Sequence, residues 1–274
     1  MAKANLDKFY TKNEIVDLCL SSVDFNGYDV IIEPSAGSGA FSNKIKNCIA
    51  YDLEPENKVI IKQNFLKLGS ILGQHKLFIG NPPFGKRSVL AKKFIRHCQF
   101  LGAETIAFIL PDTFSKITNQ SYNLFPSNWK LIIEKKLPKN SFLIGSNTYH
   151  VPCTFFVWTK RELNINLRKI KLPKPTKIEF LPRESQDADF VLNGNSGKIK
   201  DIAEVTNPKS EHYIKVKNKQ EIKKVKDLLA HLKYSFMSSV NGGNAWISQH
   251  EIIEAYFNSG YEQLQKRPVQ TSLL

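Results

Sequence analysis

Between residues 29 and 160, short apolar runs of strand length alternate with stretches of helical period, and no other feature constrains the fold of this chain as strongly. Strand patterns are read at 29–32, 49–52, 58–61, 77–80, 105–110, 130–134 and 153–158, and helical patterns at 12–21, 40–46, 88–100 and 113–124. Strands separated by helices pair in parallel, because each crossover brings the chain back to run in the same direction. The expected fold class is therefore α/β, with a doubly wound, mostly parallel, seven-stranded Rossmann-like sheet. Ligands of such sheets sit beyond the carboxyl ends of the strands.

After Lys160 the texture changes. Leu172-Pro173-Lys174-Pro175 interrupts the pattern, and residues 188–200 set Asn, Gly and Ser turn chemistry between short apolar pieces. A boundary is expected near residues 161–165, giving a first domain over 1–162 and a smaller α+β region over 163–274. In that region residues 220–232 read as a helix. Ser248-Gln249-His250-Glu251 opens an apolar-periodic run to Phe257 in the manner of a capping box.

With 42% hydrophobic residues in 274, the chain can bury a sizeable core. Its longest apolar runs, 105–110 and 153–158, fall far short of the roughly 20 residues a membrane span needs. The N-terminus also lacks the apolar stretch of a signal peptide, so no membrane association and a cytoplasmic address are expected. Cys19, Cys48, Cys98 and Cys153 stand singly, which suggests buried thiols, with neither a disulfide framework nor a metal site.

Two loops at strand ends carry the chemistry. The first is Glu33-Pro34-Ser35-Ala36-Gly37-Ser38-Gly39-Ala40-Phe41, directly after the strand at 29–32. Gly37 and Gly39 allow a tight turn and a close approach of backbone to ligand. Neither Gly-x-Gly-x-x-Gly nor Gly-Lys-Ser is present, so the loop lacks the signature of a pyrophosphate cradle. Asp52, at the end of the next strand, can accept both hydroxyls of a ribose. Together these fit an adenosine that carries a methionine tail.

The second loop is Asn81-Pro82-Pro83-Phe84, delivered by the strand at 77–80. Its consecutive prolines fix an extended backbone that can join neither helix nor ladder. Held still in this way, the Asn81 amide oxygen and the Pro82 carbonyl can accept both hydrogens of one NH2 group and aim its lone pair at an electrophilic methyl. Phe84 offers a flat face for the base carrying that amine, worth about 1–3 kcal/mol.

With both loops in this order, the chain resembles the S-adenosylmethionine-dependent amino-methyltransferases with an Asn-Pro-Pro-aromatic motif, in particular N6-adenine DNA methyltransferases of the gamma order. The resemblance spans about residues 8–160 and implies a Rossmann-like methyltransferase sheet with S-adenosylmethionine as cofactor. Lys8-Phe9-Tyr10-Thr11 resembles the family's N-terminal motif, which packs over the methionine end. Glu33, Pro34, Ala36, Gly37 and Gly39 match the loop, Asp52 with Leu53 the ribose carboxylate, and Asn81 to Phe84 the catalytic motif, Asn81 also facing the cofactor. Residues 108–111, Leu137-Pro138 with Phe142, and 153–158 resemble later strands of the same domain. Where the family places an acidic residue before Phe to hold the cofactor's adenine amine, this chain has Asn64-Phe65. An amide oxygen accepts the same bond, weaker by about 1 kcal/mol.

The partner follows from charge. Of the formal net charge of +14, residues 61–160 contribute 14 Lys and Arg against 3 Asp and Glu, whereas residues 1–60 carry 6 against 9. Basicity thus starts near the second loop, as a polyanion-binding face requires. A lysine-rich solvated surface would give the same excess. Lys86, Arg87, Lys92 and Lys93, followed by Arg96, stand close enough to the loop to hold phosphates flanking a flipped adenine. Residues 163–274 would then serve target recognition or nucleic-acid binding. DNA is the expected polymer by resemblance, with RNA open. A protein glutamine amide is disfavoured by the positive charge, and a catalytically silent nucleic-acid-binding subunit by the intact loops. The pattern leaves the recognition sequence, a restriction partner and the oligomeric state open.

Overall fold

The computed structural model describes residues 9–117, 119, 124–234 and 246–264. They fall into two compact units, with the break between Ile170 and Lys171.

In the first unit the chain runs β1 (Tyr10–Thr11), α1 (Asn13–Leu20), β2 (Val30–Glu33), β3 (Cys48–Asp52), β4 (Ile61–Lys62) and β5 (Lys76–Gly80). It continues through α2 (Val89–Phe100), β6 (Ala103–Pro111), β7 (Lys130–Lys136), β8 (Phe142–Ile144), β9 (Asn147–Tyr149) and β10 (Cys153–Thr159). Among the described residues, seven strands form one sheet in the order β4-β3-β2-β5-β6-β10-β7. β4 through β6 pair in parallel, and β10 is inserted antiparallel between β6 and β7. A small sheet, β1-β8-β9, carries the N-terminal segment.

The central strands alternate between two cores because successive side chains leave opposite faces of a sheet. Phe78, Phe108, Phe156 and Trp158 enter one cluster, where α2 packs Phe94, Ile95 and Cys98. Leu77, Ile79, Ile109 and Phe155 enter the other, where α1 packs Ile15, Val16 and Cys19. With both faces covered, the sheet can hold functional groups only at its edges and at its strand ends.

Three expectations change. The helix read at 40–46 is a short turn: one bond from Asn43 N to Gly39 O is followed by the tighter bonds of Lys44 to Phe41 and Ile45 to Ser42. The chain leaves it at Ile45 to enter β3, which leaves no length for a second helical turn. The strand read at 58–61 forms only at Ile61–Lys62, because the side chain of Asn57 accepts a bond from Val59 N and its carbonyl one from Ile60 N, keeping 57–60 in a turn. The start of the helix read at 113–124 belongs to a 3-10 turn over Asp112–Ser115, and residues 118 and 120–123 lie outside the described residues.

The second unit is α+β. Its strands β11 (Ile178–Leu181), β12 (Phe190–Asn193), β13 (Ile199–Lys200) and β14 (Glu211–Val216) pair antiparallel in the order β11-β14-β12-β13. The Asn/Gly/Ser stretch is the β12–β13 turn, in which Asn193 Oδ1 accepts from Asn195 N and Ser196 N at 3.1 and 2.9 Å. Helices α3 (Ile222–His231) and α4 (Gln249–Asn258) bury Val225, Leu229, Ile252 and Tyr256 against Ile178, Phe190 and Ile214. The capping box forms: Ser248 Oγ accepts from Glu251 N at 3.3 Å, and Glu251 Oε2 accepts from Ser248 N at 2.7 Å. No helix among the described residues is long and apolar enough to cross a membrane.

Candidate active site

The first loop leaves β2 at the carboxyl edge of the sheet and is tied to the end of β3. Ala36 N donates to Tyr51 O at 3.0 Å, and Gly37 N to Asp52 Oδ2 at 2.8 Å. Asp52 Oδ1 takes Glu54 N at 2.8 Å, so this carboxylate organises both the loop and the turn beyond its own strand. Gly37 and Gly39 have φ of +56° and +89°, and a Cβ at Gly39 would fall 2.8 Å from Asn43 Oδ1. The positive φ at both positions favours glycine, and at Gly39 a Cβ would also have to displace the Asn43 side chain.

Glu33, the last residue of β2, is buried, and Ser42 N donates to its Oε2 at 2.7 Å. Burial pushes its carboxyl up to about 7, against the pull of the Ser42 and Phe41 donors. Gly80 packs close to it: a Cβ there would come within 3.2 Å of Glu33 Cγ.

Tyr10 lies over the loop, where a Cβ at Gly37 would sit 3.7 Å from its ring. Its hydroxyl donates to Glu56 Oε1, and burial and then this carboxylate push the phenol up to about 12. Beside it opens a cleft of about 490 Å3 lined by Tyr10, Thr11, Lys12, Ser38, Gly39 and Lys44, among others. Phe9 packs on Tyr149 with ring centroids 5.1 Å apart, which fastens the N-terminal segment to the β8–β9 hairpin. Lys8, of the same predicted motif, lies outside the described residues.

β5 delivers Asn81 next to this cleft. Asn81 Nδ2 donates to Thr11 Oγ1 at 3.2 Å, and Asn81 Oδ1 is buried with no hydrogen-bond partner. Pro82 is buried and Pro83 half-buried. Half-buried Phe84 packs against both cores, and its carbonyl accepts from Leu90 N and Ala91 N at 3.1 and 3.2 Å. The loop is thereby pinned at its start by a strand and at its end by α2.

Beyond it, Gly85, Arg87 and Ser88 have φ of +67°, +54° and +58°, an unusual run for residues with side chains. The turn opens a second cleft of about 590 Å3 lined by Gly85, Lys86, Arg87, Val89, Leu90 and Lys93. Three of the four predicted phosphate-binding cations line it, and Lys92 is half-buried on another face of α2.

The sequence-predicted cofactor residues do not all point to one space. Phe65 is in the core, stacked on Phe94 at 5.5 Å and edge-on to Phe78 at 5.9 Å. Asn64 Oδ1 already accepts from Leu66 N at 3.1 Å, capping the turn at 65–67. The residue before them, Gln63, donates its N–H to Asp52 O at 2.8 Å. Pro34 is buried at the loop's start, and Leu53 is exposed. The sequence reading missed Glu56, whose partner Tyr10 lies 46 residues away, and also Asn43, although it stands only four residues after Gly39.

Numbered along the chain within the large sheet, the strand order is 3-2-1-4-5-7-6 with the seventh strand reversed, which defines a Rossmann-like methyltransferase fold. No family model and no curated protein sequence matches the chain. Among solved structures it is similar to a candidate methyltransferase from Escherichia coli, at 14% identity and TM-score 0.37 over 55% of this chain and 88% of that one. A candidate RNA methyltransferase from Pyrococcus horikoshii is similar at 16% identity and TM-score 0.43, over 58% and 90%. A modification subunit of a candidate type I restriction enzyme from Vibrio vulnificus is similar at 13% identity and TM-score 0.41, over 91% of this chain and 60% of that one.

Proposed function

We propose that the chain transfers a methyl group from S-adenosylmethionine to the exocyclic N6 amine of adenine in DNA. The observation that carries this reading is the buried, unpartnered Oδ1 of Asn81 at the carboxyl end of β5. A buried acceptor left without a donor costs about 1–3 kcal/mol, so its retention beside a cleft argues for a donor brought by a ligand.

The residues fit the cofactor. Gly37 and Gly39 bring backbone close to a ligand, and the Asp52 carboxylate has acceptor capacity left for ribose hydroxyls. Bound there, S-adenosylmethionine would supply an electrophilic methyl. Asn81 Oδ1 and the Pro82 carbonyl accept the two hydrogens of the adenine amine, which turns its lone pair out of the ring plane. Phe84 stacks on the base. The surplus proton of the methylated nitrogen leaves to water, because an amide and a peptide carbonyl do not act as bases. Lys86, Arg87 and Lys93 hold phosphates that flank the flipped nucleotide, and residues 163–274 contribute to recognition of the target.

The test is incubation of the purified protein with deuterated-methyl S-adenosylmethionine and, separately, DNA and RNA, followed by mass spectrometry of the nucleosides. Labelled N6-methyladenine in the DNA pool is expected. Label only in RNA would move the substrate assignment, and label in neither would remove the reading.

A further inference from the structure

We propose that Thr11 is a positioning residue that sets the Asn81 amide and reports to it whether the neighbouring cleft holds a carboxylate. The role rests on the methyl-transfer reading above. An Asn side chain turned over by half a rotation fills nearly the same volume, so packing alone cannot choose which end faces a substrate. The choice matters, because oxygen toward an incoming NH2 accepts its hydrogens, whereas nitrogen would oppose donor to donor.

As found, Asn81 Nδ2 donates to Thr11 Oγ1 at 3.2 Å and Oδ1 is left free. A hydroxyl can also donate, and a donating Thr11 would draw Oδ1 to itself and turn the nitrogen outward. Thr11 is compelled to accept from Asn81 only when its own hydrogen is given elsewhere. The backbone around it is set: Thr11 pairs with Phe142 in the β1–β8 ladder, and Lys12 N donates to Ser141 O at 3.1 Å. Thr11 is 8% exposed, and it lines the cleft together with Lys12 and Lys44, which pair with Glu14 at 3.9 Å and Asp17 at 2.6 Å, and with the Glu56 carboxylate. A cleft with both signs of charge suits the zwitterionic amino-acid end of S-adenosylmethionine, whose carboxylate would take the Thr11 hydrogen. Cofactor occupancy thereby holds Asn81 with its oxygen toward the substrate amine.

The experiment has an arm that needs no turnover. In 15N-labelled protein the Asn81 side-chain NH2 signals are assigned by their loss in Asn81→Asp. Adding S-adenosylhomocysteine should shift them and narrow them to one pair. Adding 5′-methylthioadenosine, which lacks the amino-acid end, should not. In Thr11→Val neither ligand should narrow them, and in Thr11→Ser the response should return. An equal response to both ligands, or an unaltered response in Thr11→Val, overturns the proposal, as does no response in the wild type.

The second arm is steady-state methyl transfer to an adenine-containing oligodeoxynucleotide. Thr11→Val should lower kcat at least tenfold, beyond any rise in KM for S-adenosylmethionine from the lost carboxylate bond, and Thr11→Ser should keep at least a third of kcat. A loss confined to KM, or no rescue by Ser, overturns the positioning role. A wild type that transfers no methyl but shows the ligand-selective Asn81 response sinks the functional reading and leaves the coupling standing.

Discussion

Glu33 lies directly beneath Gly80, close enough that a methyl group added to Gly80 would stand 3.2 Å from the Glu33 Cγ. The contact joins the ends of β2 and β5, and so the two loops that follow them. At φ of +144° a side chain at Gly80 is also strained. Gly80→Ala should therefore cost about 1–3 kcal/mol, read as a lower urea midpoint with unchanged slope. An unaltered midpoint would mean that the two loops are not in mechanical contact.

The Glu33 carboxyl gives this junction a pH signature. Its folded-state value is raised to about 7 from an ordinary 4.5, so the folded form binds its proton more tightly than the unfolded chain does. Below about 4.5 the group is protonated in both states and costs nothing. As pH rises the unfolded chain ionises first, and stability drains away until the folded carboxyl also ionises near 7. Glu33→Gln should gain on the wild type across that window, by a total on the order of 3 kcal/mol. Unfolding in urea at pH 5 and pH 8 measures it, and an identical difference at both would contradict the assignment.

Asp52 serves the loop through two backbone donors, Gly37 and Glu54. Bonds to a charged acceptor contribute about 1.5–3 kcal/mol each, and their loss frees the glycine turn. Asp52→Ala should weaken S-adenosylmethionine binding at least tenfold by calorimetry, with Asp52→Asn in between because it keeps one acceptor. Equal affinity in all three proteins would remove Asp52 from the cofactor site.

Lys86, Arg87 and Lys93 line the cleft beyond Phe84 and carry the proposed phosphate contacts. Each replacement by Ala should flatten the dependence of log Kd on log salt by about 0.9 for duplex DNA. Binding that weakens with no change in slope would show that these side chains act on the fold and not on phosphates.

The centre of the large sheet was legible because β5, β6 and β10 are buried on both faces and so read as continuous apolar runs. The sheet's seven strand patterns all fall on observed strands, the pattern at 58–61 only at its last residue. The insertion of β10 between β6 and β7 was not legible, since antiparallel partners such as Phe156 and Phe108 lie far apart in the sequence. Position of the two loops was legible from Gly37, Gly39 and the proline pair, whose conformations are local. Phe65 was read as a cofactor contact by resemblance to the family's acidic-Phe pair, but its ring packs on Phe78 and Phe94, residues no neighbouring sequence names. For the same reason the bond between Thr11 and Asn81, 70 residues apart, could only be seen in three dimensions.

The most direct test of the central claim is methyl transfer from labelled S-adenosylmethionine to adenine-containing DNA by the wild type and Asn81→Ala, with cofactor affinity measured on both. The account predicts label on adenine N6 in the wild type, its loss in Asn81→Ala, and cofactor affinity within threefold. Undiminished transfer by Asn81→Ala would contradict it.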